Sequence, residues 1–220
     1  KRGDDVPFML TLSMIQPHDP YLCRQDKWDL YKEEDIDLPR VPLGSVEEDP
    51  HSTSLRHGYG ADEIDLDETT IRNARRAYYG SISDIDDKVA DVMNTLQEAG
   101  MADNTIIIFT GDHGDMLGER GMWFKMSYFE HSARIPLIIH APSMFSPCRV
   151  AEAVSLVDIL PTLVELSQDG KPGDYATPIE GRSLVPHMSA GGGHDEVIGE
   201  YFAEGGDMPV FMIRRGQKKI

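Results

Sequence analysis

The feature that most constrains the fold is a long amphipathic segment followed closely by a short β-branched run. Apolar or aromatic side chains recur every three or four residues along one helical face: Ile71, Ala74, Tyr78, Ile82, Ile85, Val89, Val92 and Leu96. This spacing predicts a helix, with Asp65 and Glu68 as a capping box at its start and Gly100 at its end. The run Ile-Ile-Ile-Phe-Thr at 106–110 predicts a buried strand, paired in parallel.

The rest of the chain continues this alternation of strands and helices. A second helix is predicted over 154–166, and further strands are predicted over 6–15, 135–140, 197–202 and 210–214. Residues from about 24 to 66 are rich in Asp, Glu, Pro and Gly, and they predict a long irregular excursion. We therefore expect an α/β fold with a central, mostly parallel sheet.

Length and charge limit the classes of function. The 220 residues allow one domain or two small ones, and no stretch is apolar enough to span a membrane. The net charge of −17 argues against nonspecific binding to nucleic acid or to an anionic membrane. Two cysteines, Cys23 and Cys148, cannot form a disulfide framework, and they weakly favour a reducing compartment. We expect both to be small, half-buried apolar residues.

Asp112 and His113 follow the strand at 106–110 and stand between two glycines. Ligands collect where the strands of α/β sheets end, and a carboxylate beside an imidazole suits a divalent cation. The alternative is a turn in which Asp112 caps the backbone and His113 is merely polar. Calcium takes about six to eight ligands, so further ligands would have to come from other sequence or from the substrate.

Two basic side chains would complete an anion site. Lys125 follows the Asp112–His113 loop closely, and His18 follows the first predicted strand. An ammonium and an imidazole beside a cation could hold a tetrahedral oxyanion. The alternatives are a surface lysine and a histidine that bonds only to its own loop.

The motifs around these residues resemble those of the sulfatase family in the alkaline-phosphatase superfamily. The resemblance runs through Thr-Gly-Asp-His-Gly-Asp-Met-Leu-Gly-Glu-Arg-Gly at 110–121 and Trp-Phe-Lys at 123–125, and continues at 135–138, 155–163 and 181–184. It implies an alkaline-phosphatase-like sandwich that hydrolyses sulfate esters. It also implies that Asp112 and His113 bind a divalent cation, usually calcium, while Lys125 and His18 bind the sulfate and assist the leaving group. Histidine at the second ligand position is similar to choline sulfatases and to phosphonate monoester hydrolases, whereas many arylsulfatases have asparagine there, so magnesium or manganese stay open.

The stretches at 18–21, 129–134 and 199–205 are most similar to the choline-sulfatase branch of the family. That resemblance implies choline sulfate as substrate. A quaternary ammonium binds aromatic faces and a nearby carboxylate, which Trp123, Glu200 and Glu204 offer. The sequence gives both glutamates equally as the carboxylate that faces the substrate. The alternative is that the aromatic residues of this strand end belong to the core and the glutamates are solvated.

The sequence departs from the family at the nucleophile. Sulfatases carry Cys-x-Pro-x-Arg, whose cysteine becomes formylglycine, but Cys23 precedes Arg-Gln-Asp and Cys148 precedes Arg-Val-Ala. We therefore expect residues 1–220 to be a partial sulfatase domain, inactive alone, whose later part leads into a C-terminal subdomain. Formylglycine is expected on sequence outside this chain.

The resemblance also bears on partners and location. It implies a small sulfate ester as partner, a cytoplasmic location by analogy, and a homo-oligomer as one option for the whole enzyme. The rival functions are a phosphonate monoester or phosphodiester hydrolase on the same scaffold, and a noncatalytic binding module.

Overall fold

The computed structural model describes residues 6–168, 171, 173–189, 192–202 and 205–220, in two compact units. The first unit contains Lys1–Leu38 and Leu66–Thr95, and the second contains Pro39–Asp65 and Leu96–Ile220. The α-helices are α1 (Gln25–Trp28), α2 (Pro50–Gly58), α3 (Glu68–Glu98), α4 (Glu130–Ala133), α5 (Ile159–Ser167) and α6 (Val185–Met188). Short 3-10 helices lie at Glu33–Asp35, Ala61–Glu63, Ala102–Asn104, Glu119–Gly121 and Leu156–Asp158.

The strands are β1 (Ile107–Thr110), β2 (Leu137–His140), β3 (Glu196–Tyr201), β4 (Val210–Arg215) and β5 (Lys218–Lys219). The mixture of helices and strands confirms the α/β class. Across the described part of the chain, none of the helices combines the length and the apolar character of a membrane span.

Helix α3 confirms the predicted long helix, but a different aspartate caps it. Asp67 Oδ1 accepts a hydrogen bond from the Thr70 backbone N–H at 2.7 Å, so Asp67 rather than Asp65 satisfies an orphan donor of the first turn. At the other end Gly100 adopts a left-handed φ of 66°, and the Met101 N–H reaches the Leu96 carbonyl at 2.9 Å. The glycine therefore ends the helix as predicted.

Within the first unit, polar contacts hold α3 to the segment that precedes it in the chain. The Arg75 guanidinium donates to Asp37 at 2.8 Å, and the Tyr79 hydroxyl donates to the same carboxylate at 2.8 Å. Burial works to raise the pKa of Asp37, but these two hydrogen bonds hold it below the usual value. Nearby, the Arg76 guanidinium lies 4.3 Å from the centre of the Trp28 ring. The helix is therefore anchored through its polar side chains as well as its apolar stripe.

The strand pairing differs from the parallel arrangement that the sequence predicts. Strands β1 and β2 pair antiparallel, with Ile107 opposite His140 and Thr110 opposite Leu137. Strands β3, β4 and β5 also form an antiparallel sheet. A parallel pair needs a crossover, usually a helix, whereas the 111–136 connection folds back as a loop with only short helices. The prediction of parallel pairing is therefore wrong for the described strands.

Two other expectations for the N-terminal half need correction. Residues 6–15 form no strand, and most of them are exposed, because no described strand pairs with their backbone. The expected irregular excursion at 24–66 contains helices α1 and α2. Helix α2 begins with Pro50 after a capping aspartate, Asp49, whose carboxylate accepts from the Ser52 N–H at 2.9 Å.

The two family-like segments at 155–163 and 181–184 bind each other. The buried Asp158 carboxylate accepts hydrogen bonds from the Ser155 and Arg182 backbone N–H groups, both at 2.8 Å. A Cβ on Gly181 would lie 1.9 Å from the Val157 carbonyl oxygen, so only glycine fits there. These motifs therefore have a structural role: they fold one segment onto the other.

A buried histidine lies beside this junction. His187 is 9% exposed, and its ring nitrogens have no hydrogen-bond partner among the described residues. The ring of His194 packs edge-on against that of His187, with ring centres 4.9 Å apart, and the Nε2 atom of His194 lies 3.0 Å from Asp158 Oδ2. Burial, and then the charge of His194, lower the pKa of His187, against the opposing effect of the carboxylates of Glu152, Asp158 and Asp195.

This burial predicts a pH-dependent stability. Because the pKa of His187 is depressed in the folded state, this side chain binds more protons in the unfolded state. Its contribution to the free energy of unfolding is therefore complete above about pH 6.5, and it is lost as the pH falls below that value. We expect the melting temperature of His187→Leu to fall less steeply between pH 7 and 5 than that of the wild type. Thermal melts across this range measure the difference, and parallel curves would contradict the prediction.

Candidate functional site

The site is built where β1 ends. Asp112 follows the strand by two residues, and its side chain is 87% exposed. Its Oδ1 accepts from the His113 backbone N–H at 3.0 Å, and its Oδ2 lies 3.8 Å from His113 Nε2. His113 Nδ1 lies 2.8 Å from the Gly114 carbonyl oxygen, which can only accept, so Nδ1 carries the proton. In the neutral ring the lone pair is then on Nε2, on the side of the Asp112 carboxylate.

The two glycines around this pair serve different purposes. A Cβ on Gly114 would lie 2.0 Å from the His131 carbonyl oxygen, and the Gly114 N–H donates to Ser132 O at 2.7 Å. The segment therefore docks against α4 through a position that only glycine can occupy. At Gly111 an added Cβ would make only an ordinary contact at 3.6 Å. The close neighbour of Gly114 is therefore the backbone of α4.

These residues fit a divalent cation only in part. A carboxylate oxygen and an imidazole nitrogen on adjacent residues are suitable donors for such an ion. The described residues contain no group of three or more His, Cys, Asp or Glu side chains that could hold a metal. Asp112 and His113 would therefore supply a minority of the ligands that calcium or magnesium requires.

Lys125 lies in a loop that folds back on the end of β1. We call residues 115–127 the lysine loop. The Met116 N–H donates to the Phe124 carbonyl at 2.7 Å, and the Gly118 N–H donates to Met122 O at 2.8 Å. These bonds bring the Lys125 segment next to the residues that follow Asp112 and His113, and Lys125 itself is half-buried.

The backbone of the lysine loop is strained. Glycines adopt left-handed conformations readily, but four other residues of the loop also have positive φ: Leu117 (47°), Arg120 (58°), Phe124 (65°) and Met126 (60°). Two of these flank Lys125 directly. Such residues each cost about 1–3 kcal/mol and persist only where surrounding contacts fix them, which is typical of functional sites.

Asp115 is one of the contacts that fix the loop. Its Oδ1 accepts from the Leu117 N–H at 2.9 Å and from the Phe124 N–H at 3.2 Å. One carboxylate oxygen thus joins the two sides of the loop immediately before Lys125. In the sequence Asp115 is visible only as part of the 110–121 motif, and its role was not predicted.

Glu119 is a second contact that the sequence did not predict. It is 2% exposed, and its carboxylate accepts from the Arg40 N–H at 3.0 Å and the Val41 N–H at 2.9 Å. The Arg120 N–H returns a bond to Val41 O at 2.6 Å. In the sequence, an acidic residue between Gly118 and Gly121 could have suggested a carboxylate that accepts hydrogen bonds from backbone N–H groups.

A small apolar core supports the loop from below. Leu55, Met116 and Met122 are fully buried, and three half-buried side chains pack on them: Tyr59, Met126 and Phe129. Trp123, a predicted substrate-binding residue, is half-buried, and its backbone N–H donates to the Tyr59 hydroxyl at 3.3 Å. The loop that carries Lys125 also carries Trp123, so these two predicted residues lie together.

Strand β3 places the predicted glutamates differently. Tyr201 and Gly199 lie on one face, where Tyr201 packs edge-on against His51 at 5.7 Å and a Cβ on Gly199 would meet the Tyr128 ring at 2.5 Å. Glu200 lies on the opposite, exposed face with Ile198. Burial and then the charge of Glu200 raise the pKa of Tyr128. Glu204 lies outside the described residues.

His18 lies in the first unit, in the loop after residues 6–15. Its Nδ1 lies 2.9 Å from the Asp19 carbonyl oxygen, which makes Nδ1 the protonated nitrogen. The same nitrogen lies 3.0 Å from Asp19 Oδ1. The local hydrogen bond of the alternative interpretation is therefore present.

The two cysteines lie in different environments. Cys23 is half-buried, an added Cβ on Gly80 would lie 2.7 Å from its sulfur, and burial raises the pKa of its thiol. Cys148 is exposed rather than half-buried as expected. Both are free thiols.

Comparison with known proteins decides the family. The sulfatase family model matches residues 1–169. The chain belongs to the sulfatase family. It is 41% identical over 217 residues to a choline-sulfatase of Rhizobium meliloti, and 34% identical over 205 residues to a multifunctional alkaline phosphatase superfamily protein of Trinickia caryophylli. The resemblance predicted from the motifs is confirmed.

These alignments cover 97% and 87% of the chain but only 41% and 39% of the two relatives, so the chain spans about two fifths of their length. Among solved structures, it superposes on the phosphonate monoester hydrolase of Agrobacterium radiobacter with a TM-score of 0.78 at 21% identity, over 98% of this chain and 48% of that one. This likeness confirms the alkaline-phosphatase-like α/β fold.

The hydrogen bonds of Asp115 give a prediction for stability. Asp115→Ala leaves the N–H groups of the buried Leu117 and the half-buried Phe124 without this acceptor, so we expect a loss of about 1–3 kcal/mol in the free energy of unfolding. Asp115→Asn keeps an oxygen at the same place and should lose less. Urea unfolding of both variants measures the difference, and a stable Ala variant would show that the bonds contribute little.

Proposed function

We propose that the whole protein containing this chain hydrolyses sulfate esters, with choline sulfate as its substrate. The observation that carries this proposal is the placement of Lys125. A lysine held between two left-handed residues, in a loop bonded back to the segment after Asp112 and His113, is well placed to meet an anion at the end of β1.

Lys125 would bind the sulfate oxyanion. An ammonium group is compact, and its charge stabilises negative charge that develops on a tetrahedral anion during displacement. The strained loop would hold this charge in place before the substrate arrives, which lowers the cost of reorganisation during the reaction. The polar bonds of Asp115 and Glu119 support that geometry.

Asp112 and His113 would supply two of the ligands of a divalent cation, the Asp112 carboxylate and the Nε2 atom of His113. When bound, such a cation supplies positive charge to the sulfate oxygens. Calcium, magnesium and manganese all remain compatible with one oxygen and one nitrogen donor. The nucleophile, formylglycine in this family by resemblance, would come from sequence outside the chain.

His18 would serve the leaving group. Its Nδ1 bonds to the Asp19 carbonyl, which fixes the ring and directs Nε2 as the site of proton exchange. In the protonated ring Nε2 can give its proton to the leaving alcohol oxygen, as a general acid does.

The choline preference is supported by the 41% identity to a choline-sulfatase. Trp123 on the lysine loop and Glu200 near the end of β3 are our candidates for the quaternary ammonium, with Glu204 as the third. A second candidate function is hydrolysis of phosphonate monoesters, because the resemblance gives histidine at the position of His113 to phosphonate monoester hydrolases as well as to choline sulfatases.

Replacing the proposed anion ligand tests the function. In the full-length protein, we expect Lys125→Ala to lower kcat/KM for choline sulfate by at least about 100-fold, the scale of losing one oxyanion-stabilising group. The melting temperature should stay near that of the wild type. Activity within a few-fold of the wild type would contradict the role of Lys125. Parallel assays with a phosphonate monoester would show which substrate class is preferred.

Metal binding gives an independent test on the 220-residue chain. With two donors from Asp112 and His113, we expect weak Ca²⁺ binding in calorimetry, abolished by Asp112→Asn. Asp86→Asn, on an exposed position of α3, is the matched control and should change nothing. Submicromolar binding, or binding that survives Asp112→Asn, would place the cation elsewhere.

A further inference from the structure

We propose that His51 is a positioning residue for Lys125: it fixes the backbone of the lysine loop through Met126 and joins that loop to the end of β3. This inference rests on the proposed function, because it assigns His51 a role in presenting the anion-binding lysine. The carrying observations are one hydrogen bond, one ring contact and the anchoring of α2.

The hydrogen bond acts on the residue next to Lys125. His51 Nε2 lies 2.9 Å from the Met126 carbonyl oxygen. A carbonyl oxygen can only accept, so His51 donates from Nε2. Met126 has a φ of 60°, one of the strained residues that flank Lys125. The donor therefore holds the peptide that follows Met126, one residue beyond Lys125, and so restrains Met126 in a conformation that its own backbone preference disfavours.

The ring of His51 is itself held in place. Tyr201, the last residue of β3, packs edge-on against it with ring centres 5.7 Å apart. On another side, a Cβ on Gly206 would lie 3.2 Å from the ring. Both neighbours, Tyr201 and Gly206, belong to the end of β3 and the segment after it. A shift of that segment would therefore move His51 and, through its hydrogen bond, the Met126 carbonyl.

Helix α2 gives His51 a rigid base. Asp49 caps the helix through Ser52, and burial works to raise the pKa of Asp49 while the Ser52 hydrogen bonds hold it below the usual value. Leu55, one turn on, is fully buried against the core beneath the lysine loop.

The same helix is bonded to the segment after β3. Ser54 Oγ donates to Asp207 Oδ2 at 2.9 Å and accepts from the Asp207 N–H at 3.0 Å. A Cβ on Gly58 would lie 2.4 Å from the Gly205 carbonyl oxygen. The helix is thus fixed both to the core under Lys125 and to the residues beyond β3, with His51 pointing at the loop between them.

The experiment uses two amides that differ by one methylene in the full-length protein. The amide nitrogen of His51→Gln can occupy the place of Nε2 and donate to Met126, whereas that of His51→Asn stops short of it. We expect His51→Asn to lower kcat/KM for choline sulfate by about 10- to 100-fold, the range in which a small misplacement of a binding group acts. His51→Gln should recover most of this loss.

His57→Asn is the matched control. His57 lies on the same helix with a side chain that is 86% exposed, so this variant should retain wild-type kinetics. Equal loss in the Gln and Asn variants, or no loss in either, would overturn the role of the Met126 hydrogen bond. Melting curves of all three variants show whether any loss follows unfolding.

A double variant separates positioning from general support. If His51 acts through Lys125, then adding His51→Asn to Lys125→Ala should cost less than about two-fold further, because the group to be positioned is gone. Additive losses would overturn the inference while leaving the proposed function intact. A Lys125→Ala variant with wild-type activity would instead overturn the proposed function itself.

Discussion

The geometry of the second unit depends on a buried carboxylate. Glu119 is almost fully removed from solvent, and a charge in that position is tolerated only when hydrogen bonds replace its lost hydration. The backbone N–H groups of Arg40 and Val41 supply them. Because those donors come from a distant part of the chain, the loop around Glu119 can form only when the 39–41 segment is in place. Folding of the loop is thereby tied to the long-range fold of its unit.

The same logic explains how the strained backbone around Lys125 persists. Left-handed residues other than glycine are unfavourable locally, and each one in the lysine loop lies within a residue of a hydrogen-bonded backbone group. Asp115, Glu119 and the buried methionines belong to the loop, while the 40–41 backbone that binds Glu119 and the His51 side chain act from outside it. The loop's shape is therefore a property of the assembled unit rather than of its own sequence.

What the sequence could predict follows from this distinction. Helix α3 and strands β1 to β4 are set by local periodicity, and the motif 110–125 was sufficient to identify the family. Parallel pairing was inferred from the run at 106–110 alone, and strand direction depends on how the 111–136 connection returns. Asp115 and Glu119 were read as parts of a motif, because the N–H groups that they bind become neighbours only on folding. His51 carried no signal, since its partner is a backbone carbonyl.

Strand β3 has a further consequence, through the alternation of its side chains. Glu200 and Ile198 face outward, while Gly199 and Tyr201 face Tyr128 and His51. Substitutions on the outward face can accumulate without disturbing the lysine loop, whereas a one-residue shift of register would exchange the two sets. A descendant of this chain could therefore change Glu200, and with it the group that we propose for the substrate, without altering the loop, while the other side of the strand would stay under the restraint that the loop imposes.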